Sequence, residues 1–225
     1  MSKSKTDREL LAIFSKSDWP EILELAEKRV YRRKFQIIEA FAELVAKHGI
    51  HQVTYLDMAK KCKVTRQLVE HHFPDRNALI RLGYRYVYAR LQKQAADAIM
   101  SREGFREKLR GYIFAVVEWI WNCPHDNGFL MQIYATANTD PKLLQLFTRN
   151  IGIGHERIQG LLLSGRDEGF FKDLDPADFR ARAKSIQQLL IGFGIVGSVH
   201  GERSSREARK QELWRSCKSI LGLSH

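Results

Sequence analysis

Cysteine is scarce in this chain and poorly placed for chemistry. Cys62, Cys123 and Cys217 are odd in number, far apart and without CxxC spacing. That excludes a disulfide frame and a thiolate zinc site, and leaves three reduced thiols. Proline is rare too, five in 225 residues, so no proline-rich linker divides the chain. No apolar run approaches the roughly 18 residues of a membrane span, and the polar N-terminus is unlike a signal peptide. Also missing are a phosphate-binding glycine loop, a nucleophile–base pair and any His/Glu/Asp spacing suited to a metal. An enzyme, a bound cofactor and a metal centre are therefore not expected, and the localisation expected is cytoplasmic.

What is present fits an ordinary folded protein of one or two domains, 44% hydrophobic and 28% charged. The net charge of +11 favours an anionic partner. Residues 1–80 carry 15 basic and 11 acidic side chains, so most of the excess lies further along. Charge alone does not single out a nucleic-acid-binding segment.

The stretch Thr54–Leu79, TYLDMAKKCKVTRQLVEHHFPDRNAL, is more telling. Thr54 is an N-cap type with Asp57 three positions on, a short version of the capping box. Leu56, Met58, Ala59 and Cys62 supply an inward face, Lys63-Val64 makes a turn, and Thr65 is a second N-cap type. Leu68, Val69, His72 and Phe73 continue the inward face, while Arg66, Gln67, Glu70 and His71 point outward. Two short helices with a Thr-Arg-Gln tip have the shape that enters a major groove.

Before this stretch, residues 1–18 read as a charged tail with an apolar patch at Leu10, Leu11, Ile13 and Phe14. Asp18 and Pro20 mark a helix start. Apolar residues then recur at helical spacing from Ile22 to Val45, as one long helix or two abutting ones. Gly49 supplies the left-handed residue of a C-terminal cap. The run Lys28-Arg29 to Arg32-Arg33-Lys34 reads equally as a solvated helix face or as a phosphate-contacting arm.

In order, these pieces resemble the N-terminal domain of the TetR family of bacterial transcriptional regulators. The resemblance rests on Ile38-Glu39-Ala40-Phe41, His48-Gly49-Ile50, Val53-Thr54, Met58-Ala59, Val64-Thr65 and His72-Phe73-Pro74-Asp75-Arg76 with Leu79. It implies that Thr54 and His72 bind phosphate from their helix ends. It further implies that Thr65, Arg66 and Gln67, beside the outward His71, face base edges or nearby phosphates, and that Arg76 clamps the backbone. Two positions depart from the family. Lys63 stands where glycine is common, at a cost of roughly 1 kcal/mol if left-handed. Glu70 stands where tyrosine is usual, and either reads a cytosine amino group or turns away from phosphate.

The fold class expected is all-α: an N-terminal extension (1–30), a three-helix helix-turn-helix domain (31–79), and a helical ligand-binding and dimerisation domain (80–225). Helices are expected over 77–101, 105–122, 127–136, 142–164, from Asp173-Leu174-Asp175-Pro176 to His200, and over 203–223. The last long pair resembles the dimer-forming helices of TetR regulators. Residues 189–199 are apolar nearly all round, so Leu189, Gly192, Phe193 and Val196 are the candidate dimer contacts, against an ordinary buried core helix. Trp119, Asn122, Tyr134 and Asn138 are candidate contacts for a small apolar or amphipathic effector.

The function expected is a homodimeric regulator, a repressor that binds a palindromic double-stranded operator and is released by a small molecule. The alternative is control by a protein partner through the basic tail helix from Arg203 to Lys218.

Overall fold

The computed structural model describes residues 10, 12, 13, 15–171, 175–199 and 205–223, together with the backbone but not the side chains of residues 176 and 197–199. Among the described residues every regular element is helical. The expected patch residues Leu11 and Phe14, the helix-start residues Asp173 and Leu174, and His200 and Arg203 lie outside them. Helices α1 (Trp19–Glu27), α2 (Arg32–His48), α3 (Tyr55–Cys62) and α4 (Arg66–His72) come first. Then follow α5 (Arg76–Met100), α6 (Phe105–Asn122), α7 (Pro124–Thr136), α8 (Pro141–Asp167), α9 (Pro176–Val199) and α10 (Arg206–Leu221). The apolar spacing from Ile22 to Val45 belongs to two helices, because Lys28 adopts an extended conformation and ends α1. Helix α7 begins three residues before the expected Asn127, since Pro124 suits a first helical turn whose N–H groups have no partner.

The chain divides into two compact units. One comprises residues 18–91 and 123–147. Its core is α2, whose Phe35, Ile37, Ile38, Phe41 and Val45 are all buried. Phe41 packs edge-on against Phe129 of α7, with ring centroids 5.7 Å apart. Gly128 lets α7 approach closely, because a Cβ there would sit 3.0 Å from the Ala46 side chain. Tyr86 of α5 donates to Glu39 over 2.7 Å, and burial together with that carboxylate raises its phenol pKa. Arg85 binds Asp18 over 2.7 Å and anchors the start of α1.

The other unit comprises residues 1–17, 92–122 and 148–225. Phe105 opens α6, and its N–H donates to Glu168 over 2.8 Å. Phe105, Phe171 and Phe179 make successive edge-on contacts. Helix α10 lies on α6 through buried Leu213, Trp214, Cys217 and Leu221. Glu118 of α6 pairs with both Arg206 and Lys210, and Arg182 donates to the Ile220 carbonyl over 2.8 Å. The cations facing α6 are thus matched within the unit.

Candidate nucleic-acid interface

The helix-turn-helix is assembled from local bonds. The Asp57 N–H donates to the Thr54 hydroxyl oxygen over 3.2 Å, and the Thr54 N–H donates to the Asp57 carboxylate over 2.9 Å. That reciprocal pair is the expected capping box, and the Thr54 bonds hold the Asp57 carboxyl below its usual range. Lys63 ends α3 in the left-handed region at φ 53° and ψ 51°, as the turn demanded. The Val64 N–H returns to the Ala59 carbonyl over 3.0 Å, which closes the turn. Thr65 then caps α4 by accepting from the Leu68 N–H over 3.2 Å.

Two longer-range contacts fix this pair of helices. Tyr55 at the head of α3 donates its hydroxyl hydrogen to the Phe73 carbonyl at the tail of α4, over 2.8 Å. Lys61 bonds Glu43 of α2 over 2.7 Å; with Lys47 on the same carboxylate, the Glu43 pKa falls to about 2. Val69, Met58 and Ala59 are buried. One expected inward residue is not: Leu56 is 48% exposed. The inward face of α3 runs through Tyr55, Met58, Ala59 and Cys62, and Leu56 lies about 100° away on a helix of 3.6 residues per turn.

This framework exposes Thr65, Arg66, Gln67 and His71, while His72 is half-buried. Arg66 does not extend alone. Its Nε donates to Glu70 over 2.8 Å, so Glu70 turns along the helix toward Arg66. Burial lowers the His72 pKa first, with His71, Lys34 and Arg33 adding repulsion. Arg76 is half-buried and donates to the Ile50 carbonyl over 2.6 Å, with its guanidinium 5.9 Å from the Phe41 ring centroid. It thereby holds the α2–α3 connection in place. Sequence spacing had no means of showing this bond, which joins residues 26 positions apart.

Residues 37–82 match the family described as bacterial regulatory proteins, tetR family. The chain carries a TetR-family DNA-binding domain. Its similarity to a TetR-type regulator extends well beyond that domain. A regulator of the HTH type named BetI, from Pseudomonas paraeruginosa, is 25% identical over 176 residues, 76% of this chain and 83% of that protein. A transcriptional regulator from Pseudomonas aeruginosa PAO1 shares the fold with a TM-score of 0.72 at 18% identity, covering 88% of this chain and 92% of its own. A regulator from Saccharomonospora viridis, solved in complex with choline, has a TM-score of 0.67 at 21% identity over 82% of this chain and 94% of its own. These relatives and structural neighbours are named as transcriptional regulators.

The remaining candidate residues fall in both units. Trp119 is buried, and its indole N–H has no hydrogen-bond partner among the described residues. Asn122 is exposed and donates to Glu118 over 3.4 Å. In the other unit Tyr134 packs on Phe147 with centroids 5.0 Å apart, and Asn138 is exposed in a short 3-10 turn, Ala137–Thr139. On α9, Leu189, Gly192 and Phe193 are half-exposed, and Val196 is 48% exposed. Among the described residues no cluster of His, Cys, Asp or Glu could hold a metal, and no helix is long and apolar enough to cross a membrane.

Proposed function

We propose that this chain is a repressor that binds a palindromic operator as a homodimer and leaves it when a small molecule binds. The observation that carries the reading is the α3–α4 unit. Its Thr65-Arg66-Gln67 tip is exposed at the head of α4, held by two side-chain caps and the left-handed Lys63. In the proposed complex Arg66 and Gln67 read base edges, and Thr54, Thr65, His71 and His72 bind phosphate. Arg76 supports this surface from behind through Ile50.

Two half-sites are the usual route to tight binding, since one short recognition helix buries only roughly 600–1,000 Å². Helix α9 offers the surface for pairing. Leu189, Gly192, Phe193 and Val196 lie at i, i+3, i+4 and i+7, on one face that is half-exposed, with the Arg209 guanidinium 5.6 Å from the Phe193 ring centroid and Val196 the most open of the four. Among the described residues nothing lies within 4 Å of where a Cβ of Gly192 would be, which leaves room for a second backbone. Loss of water from this stripe would favour a dimer.

The small-molecule half of the proposal rests on Trp119, a buried aromatic whose N–H has no partner among the described residues, and on the structural neighbour that holds choline. A small amphipathic molecule, apolar with one polar group, matches such a handle. Effector binding must favour the form that does not fit the operator. Control by a protein partner through α10 is the weaker reading, because its Arg206 and Lys210 already pair with Glu118.

A random-site selection with purified protein tests the DNA part, with a two-fold symmetric site expected. Recovery of no enriched sequence would overturn it. Choline and a panel of small amphipathic carboxylates, scored by thermal shift and by release of the selected duplex, test the effector part. If none does both, control by a small molecule loses its support.

A further inference from the structure

The seven-residue segment 28–34, KRVYRRK, holds five cations and no acid. It forms the turn between α1 and α2 and the first turn of α2. Within the same unit the fold sets a carboxylate against each of three other arginines: Asp75 and Asp140 against Arg81, Asp18 against Arg85, and Asp126 against Arg90. In segment 28–34, Lys28 is held by Glu24 over 2.8 Å. Among the described residues no carboxylate pairs with Arg29, Arg32 or Arg33, and all three are exposed. Arg32, Arg33 and Lys34 also crowd the positive end of the α2 dipole, with no acidic residue in that turn. Such placement is unfavourable to the isolated chain.

The segment borders the recognition helix. The Lys34 ammonium lies 5.3 Å from the centroid of the Phe73 ring, directly after α4. The charges of Arg33 and Lys34 are close enough to oppose protonation of His72. The cationic ridge is therefore continuous with the surface proposed to meet DNA. Between its cations Val30 is 79% exposed and Tyr31 40% exposed. An apolar pair left open amid charge suits the sugar edges of a groove wall.

We propose that segment 28–34 is a second DNA contact, in which Arg29, Arg32 and Arg33 bind phosphates flanking the major groove that α4 enters and Val30-Tyr31 lies against the sugar wall. This rests on the DNA-binding reading above and adds contacts that carry no base specificity. It gives the +4 excess of residues 1–80 a definite address.

The test is fluorescence anisotropy over a salt series, with the selected duplex and a random-sequence duplex, on the full-length chain. The triple variant Arg29→Ala, Arg32→Ala, Arg33→Ala should lower the slope of log K against log salt by about 2–3, from about 0.9 per phosphate. It should keep the wild-type order of preference among sites. Arg180→Ala, an exposed cation on α9 in the other unit, should leave the slope unchanged. Tyr31→Ser should weaken both duplexes a few-fold at constant slope, and an unchanged affinity would remove the apolar contact. A triple variant with the wild-type slope, while wild type binds DNA normally, overturns the proposal and leaves the domain reading intact. Wild type binding no duplex overturns both. Binding of anionic phosphatidylglycerol vesicles lost in the triple variant, with its DNA slope unchanged, would assign the segment to a membrane surface instead. Circular dichroism confirms that each variant is folded, as expected for exposed positions.

Discussion

Lys63 is a residue on which local cost and position conflict. A lysine at φ 53° carries left-handed strain of roughly 1 kcal/mol, yet it sits at the tip of the turn, exposed and next to the recognition helix. Lys63→Gly should raise stability by about 0.5–1 kcal/mol in denaturant unfolding while weakening DNA binding through the lost cation. Arg66 and Gln67 are expected to act differently. Each change to Ala should relax preference at one or two base positions, by about 1–3 kcal/mol per base pair, in a repeated selection. Unchanged site choice in both variants would mean that α4 does not read bases. His72 adds a pH dependence. Its depressed pKa leaves it neutral near pH 7, and the associated stability is present above the ordinary histidine range and lost as pH falls. In the proposed complex a phosphate beside it would favour the charged form, so binding should take up a proton. Affinity for the selected duplex should rise as pH falls from about 7.5 to 6, and His72→Gln should flatten that rise.

At the scale of elements, what orients α3 is mostly outside α3. Glu43 on α2 receives Lys61 over 2.7 Å and Lys47 over 2.9 Å, and its pKa is drawn down to about 2. A carboxylate lowered in this way stabilises the fold at pH values above its unfolded pKa. That contribution disappears as pH falls from about 4.5 toward 2. Glu43→Gln should therefore cost about 1 kcal/mol at neutral pH, and nothing near pH 2, where the Glu43 carboxylate is itself protonated. A urea melt series across that range checks it. The Tyr55 to Phe73 bond is a second brace, since it ties the first residue of α3 to the residue that ends α4. Helix α10 shows the same logic in the other unit. The Cys217 thiol is buried and its pKa is pushed up to about 12, so it should resist alkylation in the native state.

For the whole molecule, the decisive question is whether two copies pair through α9. Val196→Asp puts a charge on the half-exposed stripe of Leu189, Gly192, Phe193 and Val196. Sedimentation should then show a monomer that keeps its helical content. Operator affinity should fall by two or more orders of magnitude, as expected when one half-site must hold alone. A dimer that persists in this variant would move the interface elsewhere. The cationic segment 28–34 enters at the same scale, because each copy in a dimer would add its own flanking contacts.

Much of this was readable from residue order alone. The two threonine caps, the Lys63 turn, the proline starts of α1, α8 and α9 and the end of α2 at Gly49 follow from local rules, since each device satisfies backbone groups within a few residues. Helical periodicity likewise placed the core of α2. Sequence alone determined the all-α class and the helix-turn-helix for that reason. Tertiary structure decided which polar groups are already engaged. It joined Arg76 to Ile50, Lys61 to Glu43 and Glu118 to the tail helix, and it turned Leu56 outward. It also left Arg29, Arg32 and Arg33 without carboxylates among the described residues. Partner choice depends on distances across many residues of chain, and residue order carries no record of those distances.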